Sequence, residues 1–165
     1  MLGGGLAPTF CAKSVDFPTQ LRNPQPGTGI DPAAKNPNAA GEPMPAVLLV
    51  EDEAEVRALI QEELESRGAA VRAVDTDAAA YASLEAEAGR FDLLITDINL
   101  GAGTTGFDVA RRARRLNPAL KVIYITGQAA QIDRFGVQGA EVVPKPFSPR
   151  ELADRALALL SEDRG

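Results

Sequence analysis

Histidine is absent from this chain of 165 residues, and cysteine occurs once, as Cys11. Without histidine there is no imidazole base and no imidazole metal ligand. A single cysteine forms no internal disulfide, no zinc cluster and no Cys–His dyad. Long hydrophobic runs are also missing: no window approaches the roughly 18 apolar residues of a membrane span. The start lacks a basic segment, and Met1-Leu-Gly-Gly-Gly-Leu-Ala7 is too short and too Gly-rich for the apolar core of a signal peptide. Positive charge is not in excess either, since 17 Lys and Arg face 23 Asp and Glu for a net charge of −6. That balance argues against nonspecific nucleic-acid binding. These absences point to a soluble cytoplasmic protein that engages neither membrane nor nucleic acid.

Proline becomes scarce beyond residue 45. Eight of the twelve prolines and six of the fifteen glycines fall in residues 1–45, where no apolar periodicity is sustained. This Pro/Gly-rich extension is expected to be disordered. Met44 stands just before the first apolar run, which makes it a candidate natural start, with the upstream residues a wrongly assigned extension. The extension carries three basic and three acidic residues, so the negative charge belongs wholly to residues 46–165. That stretch has a common single-domain size and is long enough to bury a core.

Within it, short apolar runs alternate with helical patterns. Ala46-Val-Leu-Leu-Val50 reads as a buried strand and delivers Glu51-Asp52-Glu53 to its tip. Asp52 is placed to cap a helix with Val56, Leu59, Ile60 and Leu64 at helical spacing, ending at Gly68. Ala69–Val74 reads as a strand, and Asp75-Thr-Asp77 opens an Ala-rich helix that Gly89 stops. Phe91-Asp-Leu-Leu-Ile-Thr-Asp97 is a strand run that delivers Asp97. A helix is expected from Phe107 to Leu116, ended by Asn117-Pro118. Lys121–Ile125 delivers Thr126, a weak helix follows near Ala129–Phe135, and Glu141–Val143 leads to Lys145. Ser148-Pro149-Arg-Glu151 opens the last helix with a cap, a proline and a glutamate in order. Alternating strands and helices of this kind give an α/β fold, a doubly wound parallel sheet with right-handed crossovers. Functional groups in such sheets gather beyond the carboxyl ends of the strands. Carboxylates, a hydroxyl and an ammonium meeting there suit Mg²⁺ and a phosphoryl group.

Four pieces in order, Leu49-Val-Glu-Asp-Glu53, Ile95-Thr-Asp97-Ile-Asn99, Ile125-Thr126-Gly127 and Pro144-Lys145-Pro146-Phe147, resemble the receiver domain of bacterial two-component response regulators. The resemblance covers Ala46 to about Glu162. It implies a flavodoxin-like (βα)₅ fold of the chemotaxis-receiver type. It also implies phosphorelay signalling, in which Asp97 accepts a phosphoryl group from a histidine kinase or a histidine phosphotransfer protein. A cation must offset the repulsion between the anions that react. The resemblance assigns Mg²⁺ to Asp52, Asp97 and the backbone carbonyl of Asn99, with Glu51 acting through water. Thr126 and Lys145 would bind phosphoryl oxygens once Asp97 is modified, and a cis peptide is usual between this lysine and its proline.

Some positions depart from the family. Val142 stands where an aromatic residue usually reports phosphorylation. The stretch from Thr126 to Lys145 is shorter by about three residues, close to one helical turn. This is similar to alphaproteobacterial single-domain receivers with an atypical fourth helix. Gly101 occupies a position where proline is common, in a longer loop before Gly106, as in receivers that work with hybrid kinases. Activation is therefore expected to order the stretch Gly127–Gly139, not to rotate a ring at position 142. The cluster Arg111-Arg112-Ala113-Arg114-Arg115 is read as a solvated helix face, because its arginines spread around the helix and do not form a stripe.

The expectation is a stand-alone, non-enzymatic phospho-receiver. It would meet the kinase with its first and last helices and an unknown downstream protein with its fourth-helix to fifth-strand face, or else shuttle or drain phosphate. The alternative is a non-phosphorylated pseudo-receiver that acts only as a binding module. A haloacid-dehalogenase-type phosphatase fits worse, since it wants an aspartate where Asn99 stands.

Overall fold

The computed structural model of the protein describes residues 43–101, 104–127 and 132–162. The elements are β1 (Ala46–Val50), α1 (Ala54–Ser66), β2 (Ala70–Val74), α2 (Asp77–Glu87), β3 (Leu93–Asp97), α3 (Gly106–Leu116), β4 (Lys121–Thr126), α4 (Ile132–Phe135), β5 (Glu141–Pro144) and α5 (Pro149–Ser161). All strand pairs are parallel, in the order β2-β1-β3-β4-β5. The chain therefore runs outward from β1 to β2, then reverses to β3 on the other side. That reversal opens a crevice between the tips of β1 and β3, the usual ligand position in such sheets.

Side chains alternate across each strand, so an apolar run buried on both sides feeds two cores. Leu48, Val50, Leu94 and Tyr124 pack with Leu84, Phe107 and Ala110 on the face covered by α2 and α3. Val47, Leu49, Ile95, Ile123 and Val143 pack with Ile60, Leu64, Leu152 and Ala156 on the face covered by α1 and α5. Truncating one of these large side chains to alanine removes about 2–5 kcal/mol of stability. Both cores lie behind the strand tips and hold those tips at fixed heights.

Helix starts differ from expectation in two places. Asp52 does not cap α1: Glu53 occupies the cap position, with extended backbone and no side-chain cap bond. The carboxylate of Asp52 is thereby left for the crevice. Helix α3 starts at Gly106, not Phe107, behind a reciprocal capping box in which Asp108 N–H donates to Thr105 Oγ1 and Thr105 N–H donates to Asp108 Oδ2. Ser148 caps α5 as expected and accepts from Glu151 N–H at 3.1 Å. Gly68, with φ 89°, ends the α1 turn.

Of the expected fourth helix, Ile132–Phe135 is helical, while residues 128–131 lie outside the described residues. The expectation of disorder covers residues 1–45, of which 1–42 lie outside the described residues. Pro45 is buried, and its carbonyl accepts from Ala70 N–H at 2.8 Å. No helix among the described residues is long and apolar enough to cross a membrane.

Candidate functional site

Asp97 ends β3 and is 3 % exposed. Its Oδ1 accepts from Asn99 N–H at 2.9 Å, and its Oδ2 accepts from Lys145 Nζ at 2.6 Å. The carboxylate is thus oriented by one neutral and one charged donor. Charge-assisted bonds of the second kind are the stronger. Lys145 follows β5, and the Lys145–Pro146 peptide is cis, as the resemblance implied. Its backbone N–H donates to Thr126 O at 2.9 Å, which ties the lysine to the end of β4.

Glu51 and Asp52 reach the same place from the tip of β1. One carboxylate oxygen from each of Glu51, Asp52 and Asp97 lies within 4.8 Å of the others. Glu51 is fully buried and Asp52 exposed, so the cluster has one sheltered and one open carboxylate. Glu51 Oε1 accepts from Glu53 N–H at 3.2 Å, whereas Oε2 is buried without a hydrogen-bond partner among the described residues. A buried orphan oxygen beside two further carboxylates is costly unless a cation joins them. Oxygen donors, one of them open to water, suit a hard ion that keeps part of its hydration, such as Mg²⁺. The residues fit that ion.

The charges register this crowding. Burial pushes the Glu51 carboxyl up to about 7; the hydrogen bond from Glu53 opposes it, the charge of Asp97 adds to it, and Lys145 offsets part. Burial works against the Lys145 ammonium as well, but its hydrogen bond and charge contact with Asp97 outweigh this and raise its pKa.

Thr126, at the end of β4, is 1 % exposed. Asn99 follows β3 with its backbone N–H on Asp97. All the expected site residues (Glu51, Asp52, Asp97, Asn99, Thr126 and Lys145) therefore stand at one end of the sheet. Sequence reasoning missed Arg57, whose Nη1 donates to the Glu51 carbonyl at 2.8 Å and holds the β1–α1 turn from one helical turn further on. An arginine at a polar position of an amphipathic helix gives no sign of that role. It also missed Gly106. A Cβ there would overlap the Asp97 carbonyl oxygen outright and stand 2.9 Å from its carbon. Helix α3 thus begins in direct contact with the Asp97 backbone.

Beside Lys145 lies a mostly apolar groove of about 460 Å³ lined by Glu53, Val56, Leu59, Pro146, Phe147 and Pro149. Leu59 is 53 % exposed there.

The response regulator receiver domain matches residues 47–157. The response regulator receiver protein CpdR of Brucella abortus (strain 2308) is 37% identical over 120 residues, covering 71% of this chain and 98% of that protein. A crystal structure of a response regulator receiver protein from Sinorhizobium medicae WSM419 superposes with a TM-score of 0.68 at 30% identity, covering 74% of this chain and 98% of the other. A CheY-like receiver from Methanospirillum hungatei JF-1 gives 0.67 at 28% identity, covering 73% and 97%. With that match across most of its length, a five-stranded parallel sheet and an acidic crevice at the strand tips, the chain belongs to the receiver-domain family of two-component response regulators.

Proposed function

We propose that Asp97 accepts a phosphoryl group from the phosphohistidine of a histidine kinase or a histidine phosphotransfer protein. Its carboxylate oxygen forms the new bond to phosphorus as the phosphorus–nitrogen bond breaks, and the donor imidazole keeps the electron pair. The observation that carries this reading is the Lys145–Asp97 pair at 2.6 Å, set beside the cluster of three carboxylates. A strand-end aspartate with only a structural role has no need of a buried glutamate and a paired lysine around it.

Asp52, Asp97 and the Asn99 carbonyl are the residues that would hold Mg²⁺, with Glu51 reaching it through water. When bound, the ion would supply positive charge against the anionic phosphoryl oxygens. Lys145 neutralises Asp97 before the reaction and has a phosphoryl oxygen to pair with after it. Thr126 offers a hydroxyl donor at the tip of the neighbouring strand. Asn99 N–H holds Oδ1, so attack falls to Oδ2, which Lys145 gives up as it turns to the phosphoryl oxygen.

The groove along α1 and the β5–α5 connection is where the phosphohistidine partner would sit. It opens next to Lys145, and its exposed Leu59 and half-buried Phe147 match the apolar stripe of a partner helix. The face around α4 and β5 is left for a downstream protein.

Incubation with acetyl phosphate and Mg²⁺, followed by the intact mass, tests the reading. One phosphoryl group should appear, disappear with EDTA, and be absent from Asp97→Asn. A binding module without phosphorylation would show no mass change under any condition, and equal labelling of Asp97→Asn would remove the assignment.

A further inference from the structure

Thr104, at the α3 end of the connection between β3 and α3, is exposed, yet it is held by two side chains from α2. Thr104 N–H and Thr104 Oγ1 both donate to Asp77 Oδ2, at 3.1 and 2.6 Å. Tyr81, one turn further along α2, has its hydroxyl 3.1 Å from the same Thr104 Oγ1. The direction of these bonds follows from proton counting. An ionised carboxylate only accepts, and the single Thr104 hydroxyl proton goes to it, so the Tyr81 hydroxyl is the donor to Thr104. The result is a directed chain from Tyr81 through Thr104 to Asp77, in which each bond polarises the next. The Thr104 hydroxyl and amide hold the Asp77 carboxyl below the usual range.

The next two residues carry this anchor to the site. Thr105 is locked in the α3 capping box, and Gly106 N–H donates to Ile98 O at 2.9 Å while its open face lies on the Asp97 carbonyl. At the other end of the loop, Asn99 is tied to Asp97 Oδ1. Between the two ends lies Gly101 at φ 77°, a backbone with little resistance of its own. Without the α2 anchor, the described residues of the connection would be held by the buried Ile98 and Leu100, by the Asn99–Asp97 bond and by the α3 cap, with nothing on Thr104 itself.

We propose that Asp77 and Tyr81 are positioning residues for the Asp97 site: through Thr104 they fix the β3–α3 loop, so that the Asn99 carbonyl and the α3 start are in place before Mg²⁺ arrives. This rests on the reading of Asp97, Asp52 and Asn99 as the ion's holders. Preorganised outer partners of this kind raise metal affinity without touching the metal.

The test is Mg²⁺ affinity by titration calorimetry for the full chain and for Asp77→Ala, Asp77→Asn and Thr104→Val, with amide exchange of Thr104–Gly106 in EDTA. Asp77→Ala and Thr104→Val should weaken Mg²⁺ about tenfold, at the low end for loss of an outer partner, and exchange at Thr104–Gly106 should quicken. Asp77→Asn keeps an acceptor oxygen and should stay within about twofold of the parent, because the hydrogen bond and not the charge does the positioning. Thr104→Val decides the matter alone if Asp77→Ala does not fold. Unchanged affinity in Thr104→Val and Asp77→Ala, with the parent binding normally, overturns the inference by itself. So does an Asp77→Asn protein as weak as the alanine variant, which would trace the effect to charge. A parent protein that binds no Mg²⁺ overturns the reading of the site and this inference with it.

Discussion

Tyr124 on β4 stands opposite Val142 on β5 in the parallel register, and its hydroxyl accepts the backbone N–H of Val137 at 3.2 Å. The position that would carry the family's reporting ring is aliphatic, and a ring lies on the strand beside it. That ring packs edge-on against Phe107 at 5.1 Å, and Phe107 in turn meets Phe135 of α4 at 5.9 Å. Burial pushes the Tyr124 phenol up, so its hydroxyl stays neutral at every ordinary pH.

Tyr124→Phe keeps the ring contacts and leaves the Val137 N–H without its partner. The expected loss is about 1–2 kcal/mol, the cost of an unsatisfied, partly buried donor. Amide exchange at Val137 should accelerate, while acetyl phosphate labelling proceeds at the parent rate. Unchanged exchange at Val137 would mean that the bond contributes nothing to holding the α4–β5 connection.

Stability of the metal-free protein should fall as pH rises from about 5 to about 7. Glu51 titrates near 4.5 when unfolded and near 7 when folded. In that window the folded protein retains a proton that the unfolded chain has released. The stabilisation is therefore full below the unfolded value and lost as pH passes the folded one. The chain has no histidine to titrate in the same range. Urea midpoints in EDTA at pH 5, 6, 7 and 8 check this, and a midpoint that rises between pH 5 and 7 would contradict it. Mg²⁺ favours the ionised carboxylate, so its affinity should increase over the same interval.

Gly106→Ala should destabilise the fold by about 1–3 kcal/mol, as overpacking does. The atoms nearest the added methyl belong to the Asp97 and Ile98 backbone. Because the displaced strand tip carries Asp97, labelling by acetyl phosphate should slow as well. A denaturant midpoint equal to the parent's would show that α3 can retreat at no cost.

Removing residues 1–43 should leave folding and labelling intact. Among the described residues Pro45 is the first that is buried, and Pro43 is exposed. A melting temperature lowered by more than about 5 °C, the effect of roughly 1 kcal/mol in a domain of this size, would assign the extension a structural role.

The strands and the site were legible for the same reason. A run such as Leu93–Thr96, apolar enough to be buried on both faces, must place the next polar residue at its tip, and Asp97, Asp52, Thr126 and Lys145 were found that way. The resemblance added Asn99 and the cis peptide. What stayed hidden depends on contacts between distant positions. Thr104 meets Asp77 across 27 residues and Tyr124 meets Val137 across 13, and neither pair has a periodic signature. The α3 capping box was readable in principle as Thr105-Gly-Phe-Asp108. The glycines at 101, 103 and 106 signal a loop there more strongly than Thr105 signals a cap. Asp52 was read as a helix cap because caps and metal ligands share the same residue type at a strand end, and only the backbone of Glu53 separates the two.

Strand β4 serves both halves of the molecule. Ile123 and Ile125 point to the core beneath α1 and α5, while Val122 and Tyr124 point to the core shared with α2, α3 and α4. The groove beside Leu59 therefore lies on the α1–α5 side of the sheet and the ring cluster around Tyr124 on the α2–α3 side. A protein seated in the groove leaves the opposite side uncovered. On the proposed reading, delivery and readout would then not have to alternate: a donor still docked and a listener newly attracted would face opposite sides of the sheet.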